Sequence, residues 1–225
     1  EKGYGIKTLG SPDKVDQHTQ FAIASNSKAF TTAALAILID EGKLSWQDKV
    51  KKHIPEFKMY NAYVTENFNI EDLLTHRSGL GLGAGDLMFF PDGADFTIDD
   101  VMTSFQHFKP QSAFRTKFDY DNLLYMVAGE VIKRVSGQSW EEFVEARILR
   151  AIGMNRSFTG ASRITDRGNL ATPHSDESGT LVALDQFILD ATKVNGAPGG
   201  ILSSVHDMSH WMLLQLNKGK HGISL

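Results

Sequence analysis

The segment from Ser25 to Lys28 could supply a catalytic nucleophile and its base, because a serine precedes a lysine by three positions. On a helix such residues share a face, so the hydroxyl and the amine would be neighbours. Serine needs a base to become nucleophilic, and a lysine serves where apolar surroundings lower its pKa. Lys28 is the only charged residue between Ile23 and Ile39, which favours that role. The alternative is an N-cap serine with Lys28 extending into solvent.

The segment Tyr120–Asn122 is a second candidate, since it is the only Tyr-x-Asn in the chain. In an extended or turn segment, residues i and i+2 point the same way, so a phenol and an amide could face one cleft. The phenol would relay a proton, and the amide would donate and accept hydrogen bonds. The alternative is a partly buried tyrosine beside a helix N-cap formed by Asp121 or Asn122.

His206 and His210 stand four residues apart, as in a helical zinc site. However, Asp207 occupies the third helical position after Ser204, which predicts a capping box. The histidines also fall on the helix face opposite three apolar residues, Val205, Met208 and Met212. We therefore expect a solvated helix face here and no metal site.

The glycine-rich segment Gly79–Gly85 lacks the Gly-Lys-Ser/Thr of a phosphate-binding loop and follows a predicted helix instead of a strand. We expect a flexible loop near the active site. The chain also has no Gly-x-Ser-x-Gly, which excludes the nucleophile elbow of α/β-hydrolases. A second Ser-x-x-Lys, Ser11–Lys14, lies in a polar turn and is interpreted as a chance match.

Capping patterns predict the helices that would position these residues. The helix that begins at Ser25 should reach Glu41 and end at Gly42. A short helix is predicted after Asn69, ending near Gly79, and a longer one from Leu123 to Val135. Three more helices are predicted where a capping residue is followed three positions later by an acid, after Thr97, Ser139 and Ser204. Strand signals are few and are confined to Gly3–Leu9, Thr180–Leu184 and Phe187–Leu189.

Composition excludes several function classes. The 225 residues are 41% hydrophobic and 22% charged, which rules out bulk disorder. Because the sequence contains no repeat and no linker, it predicts one domain over residues 1–225. A net charge of −4 gives no basic surplus for nucleic acid or an anionic membrane. The absence of cysteine excludes disulfides, thiolate metal sites and a cysteine nucleophile. The most apolar run, Ile23–Ile39, is too short and too polar for a membrane span.

Together, the two motifs resemble the serine β-lactamase and penicillin-binding protein superfamily, whose signature is Ser-x-x-Lys. The closer likeness is to the branch that holds class C β-lactamases, D-alanyl-D-alanine carboxypeptidases, D-aminopeptidases and related esterases, which places a Tyr-x-Asn in its second motif. The likeness continues in consistent order along nearly the whole chain, through Phe21–Thr31, Glu41–Ser45, Leu73–Leu80, Phe118–Asn122 with Gly129 and Val135–Gly137, and Gly199–Ser204 with Asp207 and Met208.

The resemblance implies an α/β (α+β) fold, with an antiparallel sheet flanked by helices, a helical subdomain and a site between them. It implies that Ser25 is the acylated nucleophile, that Lys28 and Tyr120 share proton transfer, and that Asn122 contacts the substrate. Neither a metal nor a cofactor is implied. The substrate would be an ester, a D-amino acid amide or peptide, or a β-lactam, and the location would be periplasmic or secreted. The rival interpretation is a non-catalytic penicillin-binding or scaffolding relative.

The third motif of that branch, Lys or His followed by Thr/Ser-Gly on an edge strand, is not recognisable. Lys220–Gly222 has the outer residues but follows a predicted helix end, and we interpret it as a loop. Glu1–Gly5 looks like the far end of the family's opening strand. We therefore expect a partial version of the domain with an incomplete sheet. We also expect the apolar helix Ser25–Glu41 to need a sheet to cover it.

Overall fold

The computed structural model describes residues 1–88, 96–165, 167–177, 179–185 and 196–220. Within these ranges the α-helices are α1 (Ser27–Asp40), α2 (Val50–His53), α3 (Ala62–Asn67), α4 (Ile70–Leu74), α5 (Ile98–Ser104), α6 (Leu123–Ser136), α7 (Trp140–Val144), α8 (Gly196–Gly199) and α9 (Val205–Leu216). The strands are β1 (Phe21–Ala22), β2 (His174–Glu177), β3 (Thr180–Ala183) and β4 (Leu202–Ser203). Short 3₁₀ turns include Ala24–Asn26 and Asp86–Met88, and a π-helical turn covers Glu145–Leu149.

Helix α1 is buried by other helices of the same chain. Phe30, Leu35 and Leu38 are fully buried, and α1 contacts α6, α7 and α8. From α9, the ring of Trp211 stacks on Phe30 with centroids 4.1 Å apart. Helices therefore cover part of α1, whereas Ala29 is exposed and Ala33 and Ile37 are half-buried, and the need for a sheet to cover this helix stays a prediction.

The predicted helix caps form where the capping residue and its partner are close together in the sequence. Capping boxes join Asn69 to Asp72, Thr97 to Asp100, and Ser139 to Glu142. Helix α6 also ends as predicted, with Gly137 in the left-handed conformation at φ +75°. Helix α4, by contrast, ends at Leu74 and not near Gly79, since His76 leaves the helical conformation with a φ of +56°.

The capping box predicted at Ser204 forms only in part. The Ser204 hydroxyl accepts a hydrogen bond from the Asp207 amide at 3.2 Å, but the Asp207 carboxylate is directed elsewhere. It accepts from the Arg156 amide at 2.9 Å and from the Ser157 hydroxyl at 2.7 Å. Asp207 is 1% exposed, so α9 is tied to the turn at 156–157 through a buried carboxylate.

We expect Asp207→Ala to lower the free energy of unfolding by about 1–3 kcal/mol, because it leaves buried donors at Arg156 and Ser157 unpaired. Urea denaturation of the full-length protein measures this change. The control is Asp99→Ala, an exposed acid in the first turn of α5, which should change the free energy by less than about 0.5 kcal/mol. Equal effects of the two substitutions would contradict the prediction.

The histidine face of α9 is not the solvated face that the sequence predicts. His206 and His210 are half-buried, and the Nδ1 atom of His210 lies 2.8 Å from the carbonyl oxygen of Ile152. The apolar residues Val205 and Met212 are instead 50% and 60% exposed. Buried Asp207 and the stacked Trp211 fix this rotation of the helix. Across the described parts of the chain, no three His, Asp or Glu side chains are grouped so that they could hold a metal ion.

The strands form two small antiparallel pairs, β1 with β4 and β2 with β3. In the first pair Phe21 lies opposite Ser203 and Ala22 opposite Leu202. The predicted strand at 180–184 is β3, whereas Gly3–Leu9 contributes only a single bridge, from Ile6 to Lys14. The third prediction, Phe187–Leu189, lies outside the described residues. In the part of the chain that is described, no helix has the length and apolar character needed to cross a membrane.

Candidate active site

Ser25 lies in a strained turn between β1 and α1. It belongs to the 3₁₀ turn Ala24–Asn26, so the α-helix begins two residues later than predicted. The preceding residue, Ala24, has a φ of +45°, which is rare for a residue with a side chain. The backbone is held on both sides of Ser25: the Ile23 amide donates to the Ile201 carbonyl at 2.9 Å, and the Ile201 amide donates to the Ser27 hydroxyl at 3.1 Å. Strain held in this way is typical of functional sites.

The Lys28 amine makes three hydrogen bonds, and their chemistry differs. Its Nζ atom lies 2.7 Å from the amide oxygen of Asn122, 2.9 Å from the carbonyl oxygen of Pro198 and 3.1 Å from the Ser25 hydroxyl. The first two partners can only accept, so those two positions on the nitrogen must carry protons. The remaining position faces Ser25, whose hydroxyl can both donate and accept. The proton between Lys28 and Ser25 is therefore the one that the site can exchange.

The surroundings of Lys28 favour loss of that proton. Burial lowers the pKa of Lys28, because the charged form loses its hydration. Interaction with nearby Tyr120 and the negative charges of Asp86 and Asp121 oppose this shift and raise the pKa of Lys28, without cancelling the lowering by burial. The net direction is downward, as a lysine that accepts a proton requires.

Tyr120 contacts the same serine, and a histidine holds its ring. The Tyr120 hydroxyl lies 2.5 Å from the Ser25 hydroxyl. The ring of His76 stacks on Tyr120 with centroids 4.5 Å apart, and the Nδ1 atom of His76 accepts from the Asp121 amide at 3.1 Å. Burial, followed by the charge of Lys28, lowers the pKa of His76. His76 is thus a neutral, fixed platform for the tyrosine.

Asn122 precedes α6, but its side chain faces the site and makes no capping bond. Its oxygen accepts from Lys28, and its Nδ2 atom donates to the Asp86 carboxylate at 3.1 Å. The neighbouring Asp121 supplies the capping contact instead, accepting from the Leu124 amide at 3.4 Å. Burial raises the pKa of Asp121 to about 7. The side chain that caps α6 is therefore that of Asp121, whereas the side chain of Asn122 faces the site.

The structure brings together all four residues predicted for the site: Ser25, Lys28, Tyr120 and Asn122. It adds three groups that were not predicted, namely the His76 ring, the Asp86 carboxylate and the Pro198 carbonyl. His76 had a signal in the sequence, because it lies within the family-like segment 73–80. Asp86 could have been suspected as the acid that follows the glycine-rich segment. A backbone carbonyl such as that of Pro198 leaves no signal in the sequence.

The glycine-rich segment lies beside the site, as the sequence predicts, and its flexibility stays a prediction. The Gly83 amide donates to the Tyr120 carbonyl at 2.8 Å, with Gly83 at a φ of +67°. At Gly85, an added Cβ would lie 2.2 Å from a methyl carbon of Leu123. Gly85 therefore permits close approach to the start of α6, and Gly83 supplies the left-handed backbone conformation that the turn needs.

Comparisons with known proteins show the family to which the chain is similar. A family model described as beta-lactamase matches residues 1–222. The protein flp of Staphylococcus aureus (strain MW2) is 27% identical over 231 residues, which cover 96% of this chain and 42% of flp. The unguisins hydrolase ungD of Aspergillus violaceofuscus is 28% identical, over 96% of this chain and 40% of ungD. The chain thus spans less than half the length of these curated relatives.

Solved structures show the same fold. The octameric penicillin-binding protein homologue from Pyrococcus abyssi superimposes with a TM-score of 0.81 and 27% identity, over 97% of this chain and 50% of that one. A penicillin-binding protein from Bacillus halodurans gives a TM-score of 0.76 at 24% identity, over 98% of this chain and 67% of that one, which bears on the fold alone. The β-lactamase-like fold predicted from the sequence is confirmed. With the family model matching nearly every residue, the chain belongs to the beta-lactamase family of serine β-lactamase and penicillin-binding protein relatives.

Proposed function

We propose that this protein is a serine hydrolase that works through an acyl-Ser25 intermediate. The observation that carries the proposal is the hydrogen bonding of Lys28, whose two carbonyl-type acceptors leave one nitrogen position for exchange with the Ser25 hydroxyl. A lysine with a lowered pKa, next to a serine, is an activated pair of nucleophile and base.

In the proposed reaction, the Ser25 oxygen attacks the substrate carbonyl carbon while its proton passes to the Lys28 amine. The Tyr120 phenol, 2.5 Å from the same oxygen, carries a proton to the leaving group as its bond to the carbonyl carbon breaks, and the Lys28 ammonium then returns a proton to Tyr120. Water attacks the acyl-Ser25 ester while one of its protons passes to the Lys28 amine. The bond between the carbonyl carbon and the Ser25 oxygen then breaks, the Ser25 oxygen takes that proton back, and the acid leaves. Asn122 contacts the substrate through its amide, and the backbone amide of Ser25 serves as one oxyanion donor.

The substrate is an ester, a D-amino acid amide or peptide, or a β-lactam, and we favour an esterase or peptidase-like activity over a dedicated β-lactamase. The name of the unguisins hydrolase relative supports hydrolysis as the reaction type. The Pyrococcus abyssi relative is described as a penicillin-binding protein homologue, which supports the alternative of a protein that binds penicillin without turnover.

The test is to treat the full-length protein with a fluorophosphonate and, separately, with a penicillin, and to map the adduct by mass spectrometry. We expect the adduct on Ser25 and its loss in Ser25→Ala. The matched control is Ser11→Ala, which removes the serine of the other Ser-x-x-Lys and should leave labelling unchanged.

An adduct on Ser27, or an adduct that persists in Ser25→Ala, would overturn the assignment of the nucleophile. Hydrolysis of a p-nitrophenyl ester separates the two functional alternatives. Ser25-dependent turnover supports the hydrolase, whereas a stable adduct without turnover supports the penicillin-binding relative.

A further inference from the structure

Asp86 reaches the active site through Asn122. It begins the 3₁₀ turn Asp86–Met88, is half-buried, and accepts a hydrogen bond from the Nδ2 atom of Asn122 at 3.1 Å. On the other side of the same amide, the oxygen of Asn122 lies 2.7 Å from the Lys28 amine. The amide of Asn122 is therefore held between the Asp86 carboxylate and an N–H of the Lys28 amine.

These two partners select one orientation of the amide. The Asp86 carboxylate can only accept hydrogen bonds, and the position of the Lys28 nitrogen that faces Asn122 carries a proton, so the NH₂ group must face Asp86 and the oxygen must face Lys28. If the amide turned over, its NH₂ group would meet the Lys28 amine, and its oxygen would meet the Asp86 carboxylate. Both contacts would be repulsive. With Asp86 removed, only the contact with Lys28 would still oppose that rotation.

The position of Asp86 is fixed by contacts with the start of α6. The Asp86 amide donates to the Gly83 carbonyl at 3.1 Å, and Gly83 is bonded to Tyr120. Gly85 lies directly against Leu123. Two contacts, at Gly83 and Gly85, thus fasten the turn to the segment Tyr120–Leu123, and the bond from the Asp86 amide to Gly83 within the turn places the carboxylate opposite Asn122.

We propose that Asp86 is a positioning residue that orients the Asn122 amide, so that its oxygen receives Lys28 and its second N–H faces the substrate. This inference rests on the proposed function. The Nδ2 atom of Asn122 donates to Asp86 through one N–H, and in this proposal the second N–H donates to a substrate carbonyl. In this proposal Asp86 acts through Asn122, with which its carboxylate shares a hydrogen bond.

The carboxylate also acts on Lys28 through its charge. The negative charge of Asp86 raises the pKa of Lys28, against the larger lowering by burial. The other charged or titratable groups that act on Lys28 are Tyr120 and Asp121, with His76 nearby. Removing the charge of Asp86 should therefore move the rising limb of the kcat/KM profile to lower pH, since neutral Lys28 would form at lower pH.

The test compares Asp86→Ala, Asp86→Asn and Leu87→Ala in the full-length protein, using hydrolysis of a p-nitrophenyl ester across pH. We expect Asp86→Ala to lower kcat/KM about 10- to 100-fold, the effect of a lost hydrogen bond to a charged group. Asp86→Asn keeps an acceptor oxygen, so its kcat/KM should fall less than that of Asp86→Ala. The rising limb of its kcat/KM profile should still move to lower pH, because the negative charge is removed. Leu87, 82% exposed on the same turn, is the control and should match the wild type.

A double-mutant cycle shows whether Asp86 acts through Asn122. In an Asn122→Ala background, Asp86→Ala should cause no further loss, because the amide that it orients is gone. Fully additive losses, or wild-type kcat/KM in Asp86→Ala, would overturn the proposal.

A spectroscopic measurement separates this inference from the proposed function. The side-chain NH₂ resonances of Asn122 in a ¹⁵N spectrum should move in Asp86→Ala and stay in place in Leu87→Ala. Unmoved resonances in Asp86→Ala would overturn the positioning role, even if the protein is an active hydrolase. Ester turnover that survives Ser25→Ala would instead overturn the proposed function, while the NMR result would still decide the orientation of Asn122.

Discussion

Replacing Lys28 by arginine is expected to lower kcat by about 10²- to 10⁴-fold, the range for removal of a general base. The guanidinium keeps the positive charge but does not give up a proton at any pH at which the protein is folded. The loss should thus come from proton transfer, while the charge beside Asn122 and Pro198 is retained. Steady-state hydrolysis of a p-nitrophenyl ester by the full-length protein measures it.

The pH dependence adds a second readout to the Lys28 substitution. Burial lowers the pKa of Lys28, and the neutral amine is the form that accepts a proton. The activity of the wild type should therefore rise with pH through that lowered pKa, and the rise should be absent in Lys28→Arg. Lys14→Arg, in the exposed Ser-x-x-Lys, is the matched control. Turnover of Lys28→Arg close to that of the wild type would end the mechanism.

Replacing Tyr120 by phenylalanine is expected to lower kcat by about 10²-fold, because the hydroxyl that lies 2.5 Å from the Ser25 oxygen is removed. The ring that stacks on His76 is retained, so the thermal unfolding midpoint should change little. Kinetics and a thermal melt on the same preparation separate the two effects. Tyr63→Phe, at a tyrosine that is 71% exposed, is the control and should match the wild type in both.

Two results would speak against a proton relay through Tyr120. One is full activity in Tyr120→Phe. The other is a loss of activity matched by an equal loss of folded protein, which would make the hydroxyl a structural group.

The features that the sequence predicts well are those whose partners are close along the chain. The capping boxes at Thr97 and Ser139 each join residues three positions apart, so their spacing is visible. The pairing of Ser25 with Lys28 follows from the same periodicity. The strands β1 and β4 have two residues each, too few to show an alternating pattern.

Contacts between distant residues account for what the sequence did not predict. Asp86 meets Asn122 across 36 positions, and no local pattern relates the two. The face of α9 was predicted correctly only at Met208, which packs against the core, whereas Val205 and Met212 are exposed. The helix is rotated by contacts made elsewhere, at buried Asp207 and at Trp211.

The turn that carries Ser25 is completed by residues made much later during translation. The carbonyl of Pro198 bonds Lys28 across 170 positions, and the Ile201 amide bonds the Ser27 hydroxyl across 174. At synthesis rates of about 5–20 residues per second, a ribosome needs roughly 10–35 s to make that stretch. Until those residues leave the exit tunnel, nothing on the β4 side holds the strained turn at Ala24. The nascent protein should therefore stay unreactive toward acylating compounds for that interval and gain its nucleophile only as this segment emerges.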